Sequence, residues 1–96
     1  MKIQRAHACA YLTKLQCGGW YLDSITVEES YRNHGKGTAL MKIILSKCEK
    51  PIYLLATSEL GGDTYRLVDF YKKFGFVSEK QEKNSAVPFN YNMVIR

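Results

Sequence analysis

The chain predicts a single small domain of mixed α/β (α+β) class, built on a mostly antiparallel sheet with a parallel pair at its centre. Three observations predict it. Two segments rich in small, apolar and β-forming residues flank Gly18-Gly19, as the arms of a hairpin do. Trp20 to Val27, a helical stripe from Gly37, and the apolar run Ile52 to Thr57 follow one another; strand, helix and strand in that order imply a right-handed parallel crossover. Near the C-terminus Phe89, Tyr91, Met93 and Ile95 alternate, the period of a half-buried strand. The order reads β-β-α-β-α-β-β over residues 1–96, a length with room for one core and no second domain.

Each element has its own signal. Gln4 to Leu15 is small and apolar, with Ala6, Ala8, Cys9, Ala10 and Leu12, and reads as the first strand. Along the second, strict alternation puts Trp20, Leu22, Ser24 and Thr26 on one face and Tyr21, Asp23, Ile25 and Val27 on the other. Leu40, Met41, Ile44, Leu45 and Cys48 recur at three- and four-residue steps, with Lys42, Ser46 and Lys47 outside; Pro51 follows, as it does just past a helix end. Ile52 to Thr57 reads as a central strand covered on both faces. Gly61-Gly62 break the chain and Asp63 offers an N-cap. Leu67, Phe70, Tyr71 and Phe74 form a second helical stripe, closed by Gly75 as the residue after the helix. Phe76 to Lys80 is the next strand, and a polar loop from Gln81 to Pro88 leads into the last.

Composition narrows the class. Hydrophobic residues at 46% and charged residues at 24% are globular values, and no apolar stretch approaches the length of a membrane span. Met1 to Arg5 lacks the apolar core of a signal peptide, so a soluble, cytoplasmic protein with no membrane partner is expected. Three cysteines, Cys9, Cys17 and Cys48, contain no C-x-x-C pair; this argues against a disulfide framework and against a metal site of the usual zinc spacing. Fourteen Lys and Arg against nine Asp and Glu give a net charge of +5, which favours anionic partners. The charges are scattered, and a solvated surface explains them equally well.

The informative stretch is Val27 to Thr38, Val-Glu-Glu-Ser-Tyr-Arg-Asn-His-Gly-Lys-Gly-Thr. It joins a strand to a helix and sets Arg32, Gly35 and Gly37 at the helix start. Glycine lets the backbone approach a ligand, and the first-turn N–H groups have no partner inside the helix. Such a terminus attracts anions, phosphate above all. On spacing alone, a glycine-rich turn without a ligand fits equally well. There is no G-x-x-x-x-G-K-[ST], which excludes a Walker loop. A dinucleotide fingerprint needs a third glycine where Leu40 stands.

Two motifs carry a family resemblance. Arg32-x-x-Gly35-x-Gly37, after a strand ending Ile25-Thr26-Val27 and before an apolar helix, resembles the acetyl-CoA pyrophosphate loop of the GNAT N-acetyltransferases. Phe70-Tyr71-Lys-Lys-Phe74-Gly75-Phe76-Val77 resembles the same family's late helix-to-strand signature. They occur in the family's order, one strand apart, and the resemblance covers Trp20 to the C-terminus. It implies a short member of the family, with a minimal GNAT-like fold and without the N-terminal elements that usually help to wall the acceptor pocket.

The resemblance also implies the chemistry: acetyl-CoA as co-substrate, and direct transfer of its acetyl group to a primary amine through a tetrahedral intermediate. The pyrophosphate falls to the loop Arg32, Asn33, His34, Gly35, Lys36, Gly37 and Thr38, with Arg32 as the positive charge and backbone N–H groups from His34 onward as donors. Ile25 and Val27 offer their backbone to the pantetheine arm. Thr64 stands where many members carry an Asn that bonds the same arm. Tyr71 matches the tyrosine that protonates the leaving thiolate; it also lies on the apolar stripe, where a core role accounts for it. Asp23 is the candidate general base, acting through water, with a surface carboxylate as the alternative. Glu59 is a second candidate.

Two other classes remain beside the enzyme. One is a non-catalytic acyl-CoA-binding protein of the same fold. The other is a small basic nucleic-acid-binding module, which rests on charge alone and lacks its signature motifs. The acceptor amine is not written in the sequence. A homodimer would close the acceptor pocket and cover an exposed sheet edge.

Overall fold

The computed structural model describes residues 1–31, 35–57 and 64–96, the side chains of 64–66 excepted. Strands β1 (Lys2–Arg5), β2 (Ala8–Lys14) and β3 (Trp20–Val27) lead through a short 3-10 turn, Glu29–Tyr31, to helix α1 (Lys36–Lys47). Strand β4 (Ile52–Leu54), helix α2 (Thr64–Lys72), and strands β5 (Val77–Ser78) and β6 (Met93–Ile95) follow. The sheet runs β1-β2-β3-β4-β6-β5, antiparallel except at the central β3·β4 pair. This is the mixed sheet with a central parallel pair that the sequence predicts.

The segment Gln4 to Leu15 is two strands rather than one. The chain reverses at Ala6-His7, where His7 adopts φ 64°, a left-handed conformation that His tolerates better than most residues. Glu28 N–H donates to His7 O at 2.9 Å, which ties this turn to the end of β3.

The faces of β3 also need correction. Tyr11 pairs with Ser24 and Leu12 with Leu22, so Asp23 is an extra residue opposite a single step of β2. Such a β-bulge restarts the alternation. Trp20, Leu22, Ile25 and Val27 consequently all pack on the helix-covered core, while Tyr21 belongs to the core on the other face. Ile25 and Val27 do not share a face with Tyr21.

Helix α1 buries Leu40, Met41 and Ile44 against the sheet, and Cys48 is buried just beyond it, as the stripe predicts. All three residues of β4 are buried, covered from both sides. At the hairpin between β2 and β3, a Cβ on Gly19 would strike the carbonyl oxygen of Pro51. Glycine there lets Trp20 N–H donate to that same oxygen at 2.9 Å, locking the hairpin to the start of β4.

After α2, Gly75 takes φ 101° and donates to Lys72 O at 3.0 Å, the positive-φ residue expected past a helix end. The final strands are shorter than predicted because side chains take over their backbone bonds. Gln81 Nε2 donates to Phe89 O at 3.0 Å, and Tyr91 N–H donates to Gln81 Oε1 at 3.0 Å. Tyr21 Oη donates to Asn90 O. These bonds press the loop onto a second apolar cluster of Leu15, Tyr21, Tyr53, Val87, Tyr91 and Val94.

Candidate functional site

The β3·β4 ladder holds three pairs, ending at Leu22↔Leu54. β3 runs on beside β2 to Val27, and a cleft of about 720 Å³ opens where its end meets α1 and α2. It is lined by Ile25, Thr26 and Val27 of β3, by Tyr31, by Gly35, Lys36, Gly37 and Thr38 at the start of α1, and by Leu67 and Phe70 of α2.

The start of α1 is suited to an anion. Gly35 precedes the helix at φ 77° with no side-chain cap, and the first turn holds no acidic residue. Its N–H groups lack intrahelical acceptors and sit at the positive end of the helix dipole. A Cβ on Gly37 would meet Phe70 Cζ at 3.4 Å and Val27 Cγ2 at 4.0 Å; glycine keeps the narrow part of the cleft open. Tyr31 is braced by His7. Its ring stacks on His7 with centroids 3.6 Å apart and planes within 6°, and His7 Nδ1 lies 2.8 Å from Glu28 Oε2.

Ile25, Val27, Gly35, Lys36, Gly37 and Thr38 thus meet in one cleft. Arg32, Asn33, His34 and Glu59 lie outside the described residues, as does the side chain of Thr64. Tyr71 is 6% exposed and packs in the helix-side core, its ring against Phe70 and Phe76. Burial pushes its phenol up to about 12. Asp23 occupies the bulge on the opposite face. It accepts from Thr13 Oγ1 at 2.7 Å, and its charge adds to burial in raising the Tyr21 phenol. The two candidate catalytic groups therefore belong to opposite faces of the sheet, and neither is among the residues that line the cleft.

Thr26, Tyr31, Leu67 and Phe70 also line the cleft and are not among the site residues the sequence predicts. Tyr31's place between strand and glycines was the available signal; Leu67 reads from sequence only as helix stripe. Among the described residues no three His, Cys, Asp or Glu side chains gather as a metal site, and no helix is long and apolar enough to cross a membrane.

Solved structures share this architecture. A Bacteroides thetaiotaomicron chain described as a GNAT-family acetyltransferase superposes with a TM-score of 0.68 at 15% identity, covering 92% of this chain and 53% of that one. A Corynebacterium glutamicum structure described as histone acetyltransferase HPA2 and related acetyltransferase gives 0.60 at 20% identity, covering 91% and 54%. Arabidopsis thaliana Naa50, in complex with the bisubstrate analogue CoA-Ac-MVNAL, gives 0.54 at 26% identity, covering 91% and 59%. The chain thus spans between about half and three-fifths of the length of these relatives. A search of curated protein sequences finds no match. The family model for the acetyltransferase (GNAT) domain matches residues 5–95, nearly the whole chain, and with the cleft and the fold it shows that this chain belongs to the GNAT acetyltransferase family.

Proposed function

We propose that the protein is an acetyl-CoA-dependent N-acetyltransferase that moves an acetyl group directly to a primary amine. The cleft carries this reading: it joins an uncapped helix N-terminus, a strand end parted from its parallel neighbour, and an apolar helix wall in one space of ligand-binding size. The complex of Naa50 with a CoA conjugate supports an acyl-CoA ligand for this fold.

Bound acetyl-CoA would supply the activated thioester. The backbone N–H groups from Gly35 to Thr38 hold its pyrophosphate, with Arg32, Asn33 and His34 completing the loop on the family pattern. The backbone at Ile25 and Val27 pairs with the pantetheine arm, and Thr64 bonds it from α2. The Tyr71 hydroxyl donates a proton to the departing sulfur. Its raised pKa keeps that proton in place through the neutral range and makes it a weaker acid than a free phenol. Asp23 takes the amine's proton through water, so the acceptor enters from the face opposite the helices. In the same reading the protein is a cytoplasmic homodimer, with the sheet edges β1 and β5 open to a second copy; sedimentation velocity should give twice the chain mass.

Calorimetry with acetyl-CoA, then thiol release against a panel of amines, tests the proposal. Gly37→Val should weaken acetyl-CoA binding by about tenfold or more, because its side chain would fill the space between Phe70 and Val27. Unchanged affinity would refute the cleft as the site. Binding without thiol release for any amine would leave an acyl-CoA binder.

A further inference from the structure

The slot along β3 exists only because β4's continuation does not stay paired with it. The chain past Leu54 is apolar, Leu55-Ala56, and Ala56 is buried, so polarity does not end the ladder. Asn92 sets its course. Its backbone N–H donates to Leu54 O at 3.0 Å, extending the β4·β6 pairing by one bond. Its side chain then acts as a further strand residue would. Ala56 N–H donates to Asn92 Oδ1 at 2.8 Å, and Asn92 Nδ2 donates to Ala56 O at 3.1 Å. A buried peptide group needs both its donor and its acceptor satisfied, and here one amide from the β6 side supplies both. Asn is otherwise a poor strand residue, and here it directly precedes the buried strand Met93–Ile95.

We infer that Asn92 is a positioning residue for the acyl-CoA: by holding both backbone groups of Ala56 toward β6, it fixes where β4's continuation leaves β3 and keeps the pantetheine slot open. The inference rests on the acyl-CoA reading above. Asn92 touches no reacting atom; it acts through the backbone it holds.

The test separates the arm of the ligand from its nucleotide end. Acetyl-CoA and 3′-phosphoadenosine 5′-diphosphate, which lacks the pantetheine arm, are titrated into the wild type, Asn92→Leu, Asn92→Asp and Val87→Ala. Val87 lies in the loop-side cluster and serves as a control for loss of stability alone. If the open arrangement falls to about one-tenth of the population, apparent affinity falls by the same factor. Asn92→Leu should therefore bind acetyl-CoA about tenfold more weakly and the nucleotide as wild type does. Asn92→Asp keeps the acceptor for Ala56 N–H but sets a charge against Ala56 O, so it should fall between, and it carries the test if the Leu variant does not fold. Hydrogen exchange at Ala56 N–H should be slow in the wild type and fast in Asn92→Leu. Unchanged acetyl-CoA affinity in the variants overturns the inference. So does an equal loss for both ligands, or an equal loss in Val87→Ala at matched melting temperature. A wild type that binds no acetyl-CoA, yet protects Ala56 N–H, overturns the acyl-CoA reading itself and the role of Asn92 with it.

Discussion

The two faces of the sheet are closed by different means. On one, α1 and α2 sink Leu40, Met41, Ile44 and Tyr71 into a continuous cluster with Leu12, Leu22, Ile52 and Met93. On the other, the loop between β5 and β6 covers a smaller cluster and is held by Gln81 and by the Tyr21 hydroxyl. Apolar packing is dense and spread over many atoms, whereas a pinned loop depends on a few directional bonds. The candidate cofactor cleft lies on the first face, where rigidity keeps a glycine-lined gap from collapsing. Asp23 lies on the second.

Variants on each face should fail in correspondingly different ways. The largest effect is expected for Tyr71→Phe. Ring packing against Phe70 and Phe76 survives, so acetyl-CoA affinity should stay near wild type while kcat falls roughly 10²–10⁴-fold. The same variant has an alkaline signature. Burial raises the Tyr71 phenol from 10.0 to about 12, so the fold favours the neutral form. The resulting stabilisation is complete below about pH 10 and disappears as pH rises through about 12. Urea unfolding across that window should show wild type losing this increment and Tyr71→Phe lacking it.

Ile44→Ala comes next. It removes a fully buried side chain from α1 and should cost about 2–5 kcal/mol in denaturant unfolding. The smallest effect is expected on the loop face. Gln81→Leu strips the bonds to Phe89 O and Tyr91 N–H and should cost about 1–3 kcal/mol. Acetyl-CoA affinity should not change, and hydrogen exchange at Tyr91 N–H should speed up. If Gln81→Leu costs as much as Ile44→Ala, the contrast between the faces is wrong.

The same contrast explains what could be read in advance. Helix-face elements announce themselves through spacing, and Leu40, Met41, Ile44 and the Gly35-x-Gly37 turn fall where their period puts them. The reversal at His7 was hidden because it uses neither Gly nor Pro. The bulge at Asp23 was hidden because alternation carries no mark of an extra residue, so the faces of Ile25 and Val27 came out inverted. Gln81 reads from sequence only as part of a polar loop, and Asn92 carries no local signal at all. Their amides replace backbone partners that only the folded chain brings near, Asn92 acting on a residue 36 positions away. Local pattern encodes packing faces well and distant side-chain-to-backbone bonds hardly at all.

The stack of His7 on Tyr31 has a spectroscopic consequence. With the rings stacked 3.6 Å apart and nearly parallel, the imidazole carbon-bound protons of His7 sit within the shielding cone of the phenol. Their resonances should move upfield of an ordinary histidine's. Because Tyr31 lines the cleft, any ligand that shifts this ring alters the shielding. The turn between β1 and β2 thus carries a built-in magnetic probe of cleft occupancy, readable without a label and before any acceptor is known.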